Sequence, residues 1–184
     1  MMNSISTDSV NHTANFTPFV GIFLDRIDLV TGYIGLNVPQ IIEIEKLRSL
    51  PVGTFGRSWS DFLDRNNLQP LSTGARRKQI HDGIHVLTGY DTDPIGEAQI
   101  QMFLLGAKFN PAHVVLLTGL MLPIWRQQSA KSSKKPLGQS KSSIHQILWQ
   151  AFHRGRQSGF DVDRWQPELL WELPLTQVQK LSNL

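Results

Sequence analysis

The chain has 184 residues, enough for one domain with a real hydrophobic core. Apolar residues make up 40% and charged residues 18%, which excludes a polar disordered chain, and the absence of cysteine excludes a disulfide framework, a thiolate zinc site, an iron–sulfur cluster and a cysteine nucleophile. The net charge is +3, but Arg126, Lys131, Lys134, Lys135 and Lys141 form a +5 segment without an acid, so the remainder is −2; with the basic charge confined to one stretch, no nucleic-acid partner is expected.

Residues 1–16 are rich in Ser, Asn and Thr and read as a disordered tail. They hold no Lys or Arg and no apolar run, so neither a secretory signal nor an Arg-rich transit peptide is expected. A single all-α domain follows over 17–184. Its first helix is predicted over 19–30, with Phe19, Val20, Ile22, Phe23, Ile27 and Val30 on one face. The second spans 39–50, where Ile41, Ile42, Ile44 and Leu47 alternate with charges at helical period. A turn at 53–56 precedes a short helix over 58–66, and another helix runs from Ser72 or Thr73 to about Leu87. The turn Gly89-Tyr90-Asp91-Thr92 leads to Asp93 as N-cap and Pro94 as first residue of a helix ending near Lys108. Asn110-Pro111 opens a helix to about Gln127. Residues 128–143 read as a flexible basic loop, and helices are predicted over 144–159, 162–170 and 176–181. The longest apolar stretch, 114–125, is too short for a membrane-spanning helix, which needs about 20 residues.

Chemistry concentrates at 81–97. His81 and His85 stand at i and i+4, so both imidazoles lie on one helical face a turn apart. Asp82 borders that face. The turn at 89–92 sends the next helix back antiparallel, which brings Glu97 in its first turn toward His85. Two imidazoles and two carboxylates suit a divalent first-row ion, zinc foremost. Asp93 also reads as a simple cap, and Asp91 either orients a histidine or serves only the turn. The spacing echoes the zinc-protease H-E-x-x-H, but Asp82 replaces the Glu base and is one methylene shorter, which argues against a protease.

The run from His81 to Glu97, H-D-x-x-H then eleven residues then E with Gly-Tyr-x-Thr-Asp-x-x-Gly-Glu inside, closely resembles the signature of the coenzyme Q biosynthesis protein 4 family. A second block, Ala151-Phe152-His153-Arg154-Gly155-Arg156 with Trp165, Trp171, Pro174-Leu175 and Val178, is similar to the family's C-terminal run; Gln179 stands where the family has arginine. The resemblance implies an all-helical fold, a metal held by His81, Asp82, His85 and Glu97, and a peripheral membrane protein of ubiquinone biosynthesis. It also implies a link to assembling the biosynthetic enzymes, and to decarboxylation, with hydroxylation, of a prenylated hydroxybenzoate ring.

On that footing, a prenyl tail is expected along the apolar surface of 103–105 and 114–124, with Leu104, Leu116 and Leu120 lining the groove; the same residues also suit an ordinary core. Arg76, Arg77 and Lys78, one turn before His81, are expected near the lipid's head group, or else on a solvated helix face. The five tryptophans suit a core or an interfacial belt, with Trp125 beside the basic segment the best belt candidate. A homodimer at the cytoplasmic face of a bacterial membrane completes the expectation. The alternatives are a non-catalytic lipid-binding scaffold for quinone-biosynthesis enzymes, or a metal-dependent hydrolase.

Overall fold

The computed structural model describes residues 37–111, 113–115, 117–119, 121 and 141–184. The predicted tail at 1–16, the predicted helix over 19–30, Leu116, Leu120, Trp125 and residues 128–140 lie outside these. Among the described residues the fold is helical, with two isolated bridges, Asn37 to Ala75 and Thr54 to Pro174, and no strands.

Helix α1 covers Ile44–Arg48, shorter than the predicted 39–50. The buried side chain of Gln79 explains the difference. Its Oε1 accepts from Ile41 N at 2.9 Å, and its Nε2 donates to the carbonyls of Val38 and Gly74 at 3.2 and 3.3 Å. An amide that satisfies backbone groups on a lead-in segment removes the need for helix there.

Helix α2, Phe55–Arg65, starts at Thr54, whose hydroxyl accepts from Arg57 N at 3.3 Å. Its inner face carries Phe55, Trp59, Phe62 and Leu63, all buried. Each such side chain contributes roughly 1.5–3 kcal/mol from burial. The predicted helix over 72–87 divides into α3, Arg76–Gln79, and α4, His81–Thr88, with Ile80 between them at φ −91° and ψ 0°. Gly83 faces α2 so closely that a Cβ would enter the Trp59 ring. Gly89, at φ +78°, ends α4 in the left-handed conformation that glycine adopts without strain.

Helix α5, Pro94–Ala107, begins as predicted: the Asp93 carboxylate accepts from Gly96 N at 2.7 Å. The described positions of 111–121 are helical. Helix α6, Lys141–Gln157, begins three residues earlier than predicted, so Lys141 belongs to a helix and not to the loop. Helices α5 and α6 cross through a pair of glycines. A Cβ at Gly106 would strike the Phe152 carbonyl oxygen, and one at Gly155 the Phe103 carbonyl oxygen.

No α-helix forms over 162–170; only Pro167–Leu169 makes a 3₁₀ turn. Val162, Trp165 and Trp171 are instead buried in the main core. The chain then ties back to α2, with Phe55 N donating to Leu173 O at 2.8 Å and Gly56 N to Trp171 O at 2.9 Å. Helix α7, Leu175–Leu181, ends the fold. Trp59, Trp165 and Trp171 are core residues, whereas Trp149 is half exposed. Among the described residues, no helix is long and apolar enough to cross a membrane.

Candidate metal centre

The α4–α5 hairpin brings His81, His85 and Glu97 together as the sequence predicts. His81 Nε2 and His85 Nε2 are 3.1 Å apart. Glu97 spans both, Oε2 lying 3.3 Å from His81 Nε2 and Oε1 3.3 Å from His85 Nε2. One donor atom from each of the three residues falls within 4.8 Å of the others. Ligands about 2.0–2.1 Å from a tetrahedral ion stand about 3.3 Å from one another; the imidazole pair and each imidazole's nearer carboxylate oxygen match that edge, the two 3.3 Å contacts using different oxygens of Glu97.

The position of each group follows from local structure. His85 is almost wholly buried, its side chain 1% exposed, with its ring stacked on Phe62 at 5.6 Å. Its Nδ1 lies 3.0 Å from the Tyr90 carbonyl oxygen. A carbonyl can only accept, so Nδ1 carries a proton and Nε2 is the nitrogen that faces His81 and Glu97. The left-handed Gly89 makes this contact possible by turning the Tyr90 carbonyl back under α4. Glu97 is 10% and His81 22% exposed, so the centre meets solvent on the His81 side.

Charge follows the same geometry. Burial opposes the His81 imidazolium, but the Glu97 carboxylate, by charge and hydrogen bond, together with Asp82, overcomes it and raises His81 to about 9. Burial also works against the Glu97 anion; His81 and then His85 outweigh it and lower Glu97 to about 2. Asp82 is buried on the same helix but does not join the three-donor group. Burial pushes its carboxyl up despite the pull of His81 and His85, with Glu97 adding to the rise. A divalent cation beside Glu97 would supply positive charge that also favours the Asp82 carboxylate against its burial.

The neighbouring candidates lie elsewhere. The Asp93 side chain caps α5. Asp91 is exposed, and its carbonyl oxygen fills the space where a Cβ on Gly96 would stand. Arg76 donates to both oxygens of Glu168 at 2.8 Å and to the Trp165 carbonyl, and Arg77 pairs with Asp163 at 2.6 Å. A head-group role for either would require those pairs to open; Lys78 also has a partner. Leu104 is buried in the main core.

The sequence reading missed His113, whose Nδ1 meets Gln101 Oε1 at 2.8 Å, one turn beyond Glu97 on α5. Burial and the Arg77 charge lower it to about 4, against a smaller pull from Asp163, so it is a neutral imidazole. It also missed Tyr90, whose contribution is a backbone carbonyl and therefore has no side-chain signal. A cleft of about 730 Å³ opens beside His85, bordered by Phe62, Asn66, Tyr90 and Leu175.

Known proteins are similar to this chain in sequence and in fold. The family model for coenzyme Q (ubiquinone) biosynthesis protein Coq4 matches residues 38–131, which contain the whole His81–Glu97 run. The mitochondrial ubiquinone biosynthesis protein COQ4 homolog of Xenopus tropicalis is 28% identical over 143 residues, covering 58% of this chain and 51% of that one. The Homo sapiens homolog is 30% identical over 94 residues, covering 38% and 36%. The chain thus spans about half or less of the curated relatives it matches. In fold it is similar to the crystal structure of a Nostoc punctiforme protein named for ubiquinone biosynthesis. The TM-score is 0.61 at 18% identity, over 89% of this chain and 80% of that one. With the model matching over half of the sequence and the His81–Glu97 hairpin inside the match, the chain belongs to the Coq4 family of coenzyme Q (ubiquinone) biosynthesis proteins.

Proposed function

We propose that the chain serves ubiquinone biosynthesis through a divalent metal, zinc by donor chemistry, held by His81, His85 and Glu97 with Asp82 as a buried counter-charge or fourth ligand. The observation that carries the reading is the spacing of the three donors on one buried hairpin. With Asp82 as counter-charge the three protein donors leave a position open, the arrangement of catalytic sites; Asp82 as fourth ligand would close the shell. The substrate is a prenylated hydroxybenzoate, and the step is loss of its carboxylate: the ring carbon releases carbon dioxide and takes a proton, with no oxidant needed. When bound, the ion supplies Lewis-acid stabilisation of negative charge developing on the ring. The protein's own residues bury the reacting end, hold the imidazole lone pairs in place and admit substrate on the His81 side.

An apolar cluster next to Glu97 suits the tail. Ile95, Ala98 and Met102 on α5 meet Leu117, Met121, Ile144 and Leu148, most of them only partly buried. At roughly 0.8 kcal/mol per buried CH₂, ten carbons of isoprenoid contribute about 8 kcal/mol before ordering costs. The test is incubation of zinc-loaded protein with a ring-carboxyl-labelled prenyl hydroxybenzoate. Labelled carbon dioxide, lost in His81→Ala and His85→Ala variants, supports the reading; tight binding without turnover favours the scaffold.

That second reading has its own observation. Helix α6 exposes His145, Trp149 and His153 around the partly buried Phe152, with Trp149 5.3 Å from Phe152, and Phe109 is exposed beyond the end of α5. Such a face suits a membrane surface, a second copy of the chain or a partner enzyme.

A further inference from the structure

Helix α6 supplies none of the three grouped donors, yet it touches the backbone that aims one of them. Arg154 Nη1 donates to the Thr88 carbonyl, the last residue of α4, at 2.6 Å. The same guanidinium lies over the Tyr90 ring, 5.4 Å from its centroid. Tyr90 is the residue whose carbonyl receives His85 Nδ1–H. One planar cation therefore grips both sides of Gly89, the flexible position between the helix end and the carbonyl. The Gly106–Gly155 crossing seats α6 against α5, and Arg154 precedes Gly155, so the grip is referenced to the helix that carries Glu97. The Tyr90 ring also meets Phe103 of α5 edge-on at 6.5 Å.

We propose that Arg154 is a positioning residue for His85: by fixing the Thr88 and Tyr90 backbone it holds the imidazole in the Nδ1–H form, with Nε2 free to bind the ion. The ion itself rests on the metal reading above; the ring's tautomer does not. Without Arg154, Gly89 lets the Tyr90 carbonyl swing away. The His85 proton then distributes between the two nitrogens, and the protonated Nε2 form cannot ligate. Removing partners that orient a ligating histidine typically lowers metal affinity about 10–100-fold.

Gln179 provides the control. Its Nε2 donates to the Leu87 carbonyl at 3.1 Å, one residue before Thr88. It supports the same helix end with no hold on the histidine's acceptor. The experiment compares wild type, Arg154→Ala, Arg154→Lys and Gln179→Ala at one fixed pH. It reads the His85 tautomer of metal-free protein by long-range ¹H–¹⁵N NMR, zinc affinity by chelator competition, and melting temperature. The expected result is a single Nδ1–H tautomer in wild type and Gln179→Ala, and a mixed one in Arg154→Ala with at least tenfold weaker zinc binding. Arg154→Lys retains the Thr88 contact, loses the planar stack on Tyr90 and falls between. An unchanged tautomer in Arg154→Ala, or the same change in Gln179→Ala, overturns the proposal. If Arg154→Ala does not fold, Arg154→Lys decides by the same readouts. If wild type binds no zinc, the metal reading fails while the tautomer comparison still decides the role of Arg154.

Discussion

At the scale of residues, a metal bound at the proposed centre would compete with protons. His81, raised to about 9, holds a proton at neutral pH in the metal-free protein, and an ion must displace it. Zinc affinity should therefore rise about tenfold per pH unit between pH 7 and 9 and then flatten, with close to one proton released per ion. Calorimetry in buffers of different ionisation enthalpy measures that release, and none at pH 7 would refute the assignment. The metal-free protein has its own pH dependence. A raised His81 contributes stability that is complete below 6.5 and lost as pH climbs through about 9. A lowered Glu97 contributes stability that is complete above 4.5 and lost as pH falls through about 2. Asp82, raised by burial, adds stability at acid pH that fades as its carboxyl ionises. The melting temperature of metal-free protein should thus decline from pH 6.5 to 9. In Glu97→Gln, where His81 loses its carboxylate, that decline should largely vanish.

At the scale of elements, the α5–α6 crossing connects packing to the site. A Cβ at Gly106 or Gly155 would meet backbone carbonyl oxygen on the opposing helix, which cannot move aside as the end of a side chain can. Gly106→Ala and Gly155→Ala should each cost about 1–3 kcal/mol of stability. Both should also weaken metal retention, because α5 carries Glu97; denaturant titration beside metal analysis checks the pair. Which elements were legible in the sequence follows from what made them. The hairpin was readable because i,i+4 histidines, the Gly89 turn and the Asp93-Pro94 start are local signals, and its geometry follows from them. The break at Ile80 and the shortened α1 were not, because the buried Gln79 amide makes them by bonding backbone 38–41 residues away in sequence. The missing helix at 162–170 has a similar cause: Trp165 and Trp171 are held by the core, and α2's first residues bond to the carbonyls of Trp171 and Leu173. Arg76 and Arg77 looked available to a ligand from sequence; their partners Glu168 and Asp163 are about ninety residues distant.

At the scale of the whole molecule, the buried α4–α5 hairpin carries a partly open apolar cluster beside it, and α6 adds an aromatic outer face. Met102→Glu puts a charge into the cluster beside Ala98 without touching the grouped donors. It should abolish binding of a long-chain prenyl hydroxybenzoate while leaving zinc content unchanged, as equilibrium binding and metal analysis would read. Equal affinity for tailed and tailless head groups would remove the groove from the account. The central claim, that the α4–α5 hairpin is a metal centre, is tested most directly by X-ray absorption at the zinc edge of the loaded protein. The account predicts a first shell of nitrogen and oxygen at about 2.0–2.1 Å with the outer-shell scattering of two imidazoles, reduced to one in His85→Ala. Zinc that washes out on desalting, or a shell without imidazole scattering, would contradict it.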